Sequence, residues 1–176
     1  MKFSLVHTFD FPPATVLGAM LDPDMPAFLL KNHPMMEEAV PQERKEEGTV
    51  VRRKVRYRPR PIIKKVGPKE IPPEMLAFIE ESSFDTKTMK GEFVNNATRE
   101  GVRKHLVNKG TMSFRELPGG KTERTIEGTL EVVGVSFLLR PLTAIAERII
   151  YSEAQKLLDA EAKCVGDFIK EHAAKA

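Results

Sequence analysis

Few residues of this chain stand at spacings that carry chemistry by themselves. The four histidines, His7, His33, His105 and His172, show neither the i, i+4 spacing of a helical zinc pair nor a short-loop grouping, so no metal framework is read from them. The glycines form no GxGxxG and no P-loop, and no serine sits in a GxSxG turn. Nucleotide chemistry and serine hydrolysis therefore have no signature, and the sequence predicts no cofactor and no catalytic residue. Cys164, the single cysteine, falls on an apolar helical face and reads as a small core residue rather than a nucleophile.

Two opposite charges say more. Glu153 lies about 20° around a helix from Leu142, inside an apolar sector, and Arg53 shares a strand face with Val51, Val55 and Tyr57. A buried charge costs several kcal/mol unless it is paired or hydrogen-bonded. The two therefore predict either a polar end to an internal pocket or a structural ion pair, and a register in which Arg53 snorkels to water stays open beside these. Inside a cavity, His7 or Glu153 could serve as an acid or base.

The elements that must position these residues follow from periodicity. Lys2 to Phe9 alternates as a strand and is stopped by Phe11-Pro12-Pro13, after which residues 14–21 and 25–32 predict two short helices about an Asp22-Pro23-Asp24 turn. Met36 to Val40 and Thr49 to Arg58 predict the next two strands, separated by a turn at Gly48. Pro59 to Pro73 predicts an irregular loop carrying Ile62, Ile63, Val66 and Ile71. Met75 to Met89 and Glu92 to Thr98 predict a hairpin about Lys90-Gly91, and Arg103 to Glu116 with Lys121 to Val133 a second one about Leu117-Pro118-Gly119-Gly120. In that second hairpin Leu106, Gly110, Met112 and Phe114 oppose Ile126, Gly128, Leu130 and Val132, so only one side of the sheet is wet. Gly110 and Gly128 hint at open volume or a bend on the dry side. From Arg140-Pro141 a long amphipathic helix runs over 142–174, with Leu142, Ala146, Ile149, Ile150, Leu157, Ala160, Cys164 and Phe168 in one sector about 80° wide. The concave face of the strands is its cover.

Length and composition set the frame. At 176 residues, with 41% hydrophobic and 30% charged residues, the chain predicts a single domain over 1–176. No secretory h-region and no apolar run of about 18–20 residues is present, and one cysteine forms no internal disulfide, so a cytoplasmic address is the default expectation. Charge is uneven: Gly48 to Lys69 holds nine basic residues and no acidic one. The face Arg52, Lys54, Arg56 and Arg58 with Lys64 and Lys65 reads as a solvated strand surface neutralised by Glu127 or Glu131, or as a site for anionic lipid headgroups or a protein partner. Nucleic acid fits poorly, because the segment's one aromatic, Tyr57, faces the other way.

The order of elements, the Phe9-Asp10-Phe11-Pro12-Pro13-Ala14-Thr15-Val16 opening and the terminal stretch from Ile145 to Phe168 resemble the START-like (SRPBCC) helix-grip superfamily and, within it, a bacterial family without an assigned activity. The resemblance implies an α+β helix-grip fold: a seven-stranded curved antiparallel sheet around a long C-terminal helix, with two short helices after the first strand. It also implies an apolar ligand held between sheet and helix, and some members are cyclases or hydrolases. The candidate lining is Met20, Phe28, Arg53, Tyr57, Phe78, Phe84, Phe93, Met112, Phe114, Ile126, Leu130, Ile149, Ile150, Glu153 and Leu157. Ordinary core packing demands the same residues, so periodicity alone does not separate a lined cavity from a filled core. The reading favours binding or transport of a small apolar or lipid-like molecule over a cyclase, dehydratase or hydrolase using polar cavity groups.

Overall fold

In the computed structural model, which describes residues 1–60, 65–66, 69–70, 72–134 and 140–174, the chain begins with strand β1 (Lys2–Phe9) and helices α1 (Pro13–Leu21) and α2 (Met25–Asn32). Each helix has a proline in its first turn, where the missing N–H costs nothing. Strands β2 (Met36–Glu47) and β3 (Val50–Pro59) turn about Gly48, whose φ of 61° lies in the left-handed region that a glycine adopts without strain. Beyond a two-residue hairpin, β4 (Lys65–Val66) with β5 (Lys69–Glu70), and a 3-10 turn at Pro73–Met75, come β6 (Phe78–Asp85) and β7 (Lys90–Ala97). A single helical turn α3 (Glu100–Arg103), strands β8 (Leu106–Leu117) and β9 (Lys121–Val132), and the long helix α4 (Arg140–Ala173) complete the chain.

Seven strands form one antiparallel sheet in the order β1-β9-β8-β7-β6-β3-β2. The structure therefore has the α+β architecture expected from the sequence, with several corrections. The Pro59–Pro73 loop contains the β4–β5 hairpin; Ile62, Ile63 and Ile71 lie outside the described residues. Arg103 ends a helical turn rather than starting a strand. Lys90-Gly91 is not the β6–β7 turn, because both residues pair inside β7, with Gly91 opposite Phe84. The turn falls at residues 86–89, where Asp85 accepts from the Lys87 N–H at 2.9 Å and the Thr88 hydroxyl at 3.0 Å.

Cross-strand pairs share a face, so the register defines the concave side row by row. Leu5, Ile126, Met112, Gly91, Phe84 and Val51 make one row, and Phe3, Gly128, Gly110, Phe93, Ser82 and Arg53 the next. Each glycine in these rows stands opposite a phenylalanine whose ring occupies the volume a side chain would take: Phe84 over Gly91, Phe93 over Gly110 and Phe3 over Gly128. The space at Gly110 and Gly128 is thus filled by neighbouring rings rather than left open.

The packed core sits at the end of this face covered by α1, α2 and the C-terminal half of α4. Val16, Leu17 and Met20 of α1 and Val165, Phe168 and Ile169 of α4 close on Val51, Phe84, Met112 and Ile126. Burial along α4 is graded: Cys164 and Phe168 are buried, Ile150 and Leu157 are half-buried, and Ile149 is 43% exposed. The helix leaves the packed core as it runs back toward its N-terminus. No helix among the described residues is long and apolar enough to cross a membrane.

Candidate functional site

Away from the packed core the concave face changes character. Val55, Glu80 and Asn95 form one inward row of β3, β6 and β7, and Asn108 pairs with Leu130 across β8 and β9. Val55 and Leu130 are buried, but Phe3, Phe78, Asn95 and Asn108 on the sheet and Ile150, Glu153 and Leu157 on α4 are only half-buried although they face inward. Side chains that face the interior and are still reached by solvent are less tightly covered than those of the packed core.

Arg53 holds the polar side of this region. It is 11% exposed and donates from Nη1 to the Met20 carbonyl at 2.6 Å, from Nη2 to Glu80 at 3.2 Å and from Nε to Ser82 Oγ at 3.2 Å. Burial by itself would weaken the guanidinium's hold on its proton, but Tyr57, Glu80 and Glu161 outweigh it and keep its pKa above the ordinary arginine value. Burial pushes the Tyr57 phenol well above its usual range, against the pull of Arg53, so it stays a neutral hydroxyl. Of the alternatives open from the sequence, an Arg53–Glu153 ion pair does not form. Arg53 pairs with Glu80 on the neighbouring strand, whereas Glu153 takes Lys156 Nζ at 2.8 Å on its own helix. Glu153 Oε2 and Asn95 Oδ1 are buried with no hydrogen-bond partner.

A second polar cluster, at the core end, was missed by sequence reading. Arg124 is fully buried on the concave face, its guanidinium 2.7 Å from Glu161 of α4 and 5.3 Å from the centre of the Phe9 ring. The Glu161 oxygen lies off the N–H directions, so the attraction is ionic rather than a directed hydrogen bond. Arg124 also donates to His7 Nδ1 at 3.1 Å, which leaves His7 Nε2 to donate to Asp159 at 3.0 Å. His33 accepts the Met35 N–H on Nδ1 at 3.1 Å, so its Nε2 proton goes to the Leu157 carbonyl at 3.0 Å. Three elements thereby fasten the middle of α4. The missed signal was parity: Arg124 shares its strand face with Ile126 and Leu130.

The remaining predicted residues divide between the two regions. Met20, Phe84, Phe93, Met112, Phe114 and Ile126 belong to the packed core, and Phe28 packs edge-on against Phe168 at 5.2 Å. Tyr57 is buried in the same cluster with Phe78 packed against it, Leu130 is buried, Arg53 is tied to α1, and Ile150, Glu153 and Leu157 of α4 are half-buried. On the other face, the basic strand is matched by acids from β2, β6 and the 3-10 turn rather than by Glu127 or Glu131. Arg52 pairs with Glu47, Lys54 with Glu43 and Glu81, Arg56 with Glu38 and Glu74, and Arg58 with Glu37, Glu38 and Glu74. Lys64 and the side chain of Lys65 lie outside the described residues. A trough of about 1150 Å³ crosses this outer face, but Lys2, Lys54, Lys109, Glu43, Glu92 and Glu127 along it alternate in sign. It is the open saddle of a twisted sheet. Among the described residues, no three metal-ligating side chains gather.

No protein-family profile and no curated protein sequence matches the chain. Solved structures do. The Zhui aromatase/cyclase from Streptomyces sp. R1128 superposes with a TM-score of 0.66 at 12% identity, over 98% of this chain and 95% of that one. The chain has the START-like helix-grip fold. TTHA0849 from Thermus thermophilus shares this helix-grip arrangement, with a TM-score of 0.63 at 16% identity over 94% of this chain and 97% of its own. So does Ara h 8.0201, at 0.58 and 16% with the same coverage.

Proposed function

We propose that this helix-grip protein binds a small, largely apolar molecule in the hollow between the sheet and the N-terminal half of α4. The observation that carries the reading is the division of one concave face into two halves. The half under α1, α2 and the C-terminal part of α4 holds the buried cluster, while Asn95, Asn108, Ile150 and Leu157 elsewhere on the inner side are only half-buried. Apolar surface kept wet inside a fold is available for a ligand, at roughly 25 cal/mol per Å² covered. The breadth of the structural similarity, which includes a protein described as an aromatase/cyclase, is compatible with this reading.

Binding is favoured over turnover because His7 and Glu153, the candidate acid or base groups, are engaged in separate networks, His7 with Asp159 and Glu153 with Lys156. The test is native mass spectrometry of gently purified protein, followed by methyl NMR with a fluorescent apolar probe such as 1-anilinonaphthalene-8-sulfonate. Probe-induced shifts confined to Ile150 and Leu157, with Leu17 and Val165 unmoved, are expected. No bound molecule and no such shifts would defeat the proposal.

A further inference from the structure

We infer that two copies of this chain pair along strand β1, antiparallel and with a two-fold axis at Leu5, so that their sheets join into one. The register of β1 with β9 decides which of its backbone groups are free. The Met1 carbonyl accepts from the Leu130 N–H at 2.8 Å, so the odd-numbered residues of β1 turn their N–H and C=O groups toward β9. Those of Lys2, Ser4, Val6 and Thr8 point the other way, and among the described residues β9 is the only strand beside β1. All four residues are exposed, Val6 at 57%, so this row of donors and acceptors lies open. An open edge of this kind is a template for another strand, and proteins blunt such edges with proline, bulges or charge.

The opposite edge of the sheet carries those devices and β1 does not. In β2, Pro41 has no N–H, irregularities fall at Met36/Glu38 and Pro41/Glu43, and every residue from Glu43 to Glu47 is charged. Strand β1 has no proline and an unbroken register, and Lys2 is its one formal charge. Its pattern matches a copy of itself. With Leu5 facing Leu5 of the second copy, Lys2 stands opposite Thr8 and Ser4 opposite Val6, and these reciprocal pairs satisfy every free N–H and C=O group on both strands. No like charges face each other. Sliding the pair to centre on Ser4 or on Val6 leaves Thr8 or Lys2 unmatched. Because β2 is guarded, association closes at two copies instead of running on as a filament.

Sedimentation equilibrium of the full chain tests this: the mass is expected to rise with concentration from 19.8 kDa toward twice that value. Val6→Pro removes an N–H of the free edge and no bond to β9, and Val6→Lys sets lysines diagonally across the seam from Lys2 and from each other; both are expected to stay at the mass of one chain. Val94→Lys removes a similarly exposed valine from central strand β7 and is expected to associate as the unaltered chain does. A second readout needs no variant. Amide hydrogen exchange of Ser4, Val6 and Thr8 is expected to slow by about tenfold or more as concentration is raised, with Leu5 and His7, already bonded to β9, changing far less. A chain that keeps the mass of one copy up to its solubility limit would overturn the pairing. So would a dimer that Val6→Pro and Val6→Lys leave intact, one that only Val94→Lys dissolves, or exchange at Ser4, Val6 and Thr8 that ignores concentration.

Discussion

The guanidinium of Arg124, wholly removed from solvent, stands 2.7 Å from the Glu161 carboxylate and ties strand β9 to helix α4 through the core. A buried charge pair is expensive to form and more expensive to break, because the partner left behind keeps its desolvation cost. Arg124→Leu is therefore expected to lose about 3–5 kcal/mol of stability in urea unfolding, and Arg124→Leu combined with Glu161→Leu to recover a large part of that loss. A double variant as unstable as the single one would show that packing around the arginine stem, rather than the ion pair, holds the two elements together.

The phenylalanine–glycine pairs give a second test. An alanine Cβ at Gly110 would come 2.2 Å from the Glu127 carbonyl oxygen and 2.9 Å from the Phe93 ring, whereas one at Gly18, on the exposed side of α1, meets nothing within 4 Å. Gly110→Ala is expected to cost about 1–3 kcal/mol through forced displacement of backbone and ring. Gly18→Ala should gain about 0.5–1 kcal/mol from helix propensity. Thermal unfolding of the two variants reads opposite signs, and equal effects would contradict the close approach at Gly110.

Strands β1, β8 and β9 were legible in the sequence because their apolar residues alternate cleanly, and α4 because its apolar sector persists over many turns. The end of β2 was not: from Pro41 onward its residues are exposed and charged, and a bulge at Pro41/Glu43 interrupts the period that would have marked it as a strand. Gly91 misled for a different physical reason, since a glycine signals a turn or a close approach equally well and here Phe84 makes the approach. The apolar members of the site were legible as a class, but not which half of the face they filled. That division depends on where α1 and α2 cover the sheet, a tertiary fact with no periodicity. Asn95 and Asn108 were passed over because a polar residue on an inner face looks like ordinary strand polarity until the register is known.

Acid should reveal the contact that holds the N-terminal half of α4. Glu147 accepts the Val132 N–H at 3.0 Å, and that bond holds its carboxyl below the usual glutamate range. A depressed folded-state pKa contributes stability that is fully present above the unfolded value and is lost as pH falls through the folded one. The deficit of Glu147→Gln relative to the unaltered protein is therefore expected to be widest above roughly pH 4.5 and to close as the solution is made more acidic. Urea unfolding at neutral pH and near pH 3 supplies the comparison, and a deficit that stays constant would remove the carboxylate from the account.

The outer face supplies the last expectation. Arg56 and Arg58 look like free positive charge in the sequence, yet both stand among Glu37, Glu38 and Glu74 and are half out of solvent. Exposed ion pairs contribute about 1 kcal/mol or less and are weakened by salt. Arg56→Gln with Arg58→Gln should accordingly reduce stability modestly at low ionic strength and much less at high salt. Because their charge is already met within the protein, little is left to attract an anionic surface, and co-sedimentation with phosphatidylserine-containing vesicles should be the same for the variant and the unaltered chain. A salt-sensitive loss of vesicle binding in the variant would instead mean that lipid headgroups compete successfully with Glu37, Glu38 and Glu74 for these two arginines, and that β3 is a docking strand after all.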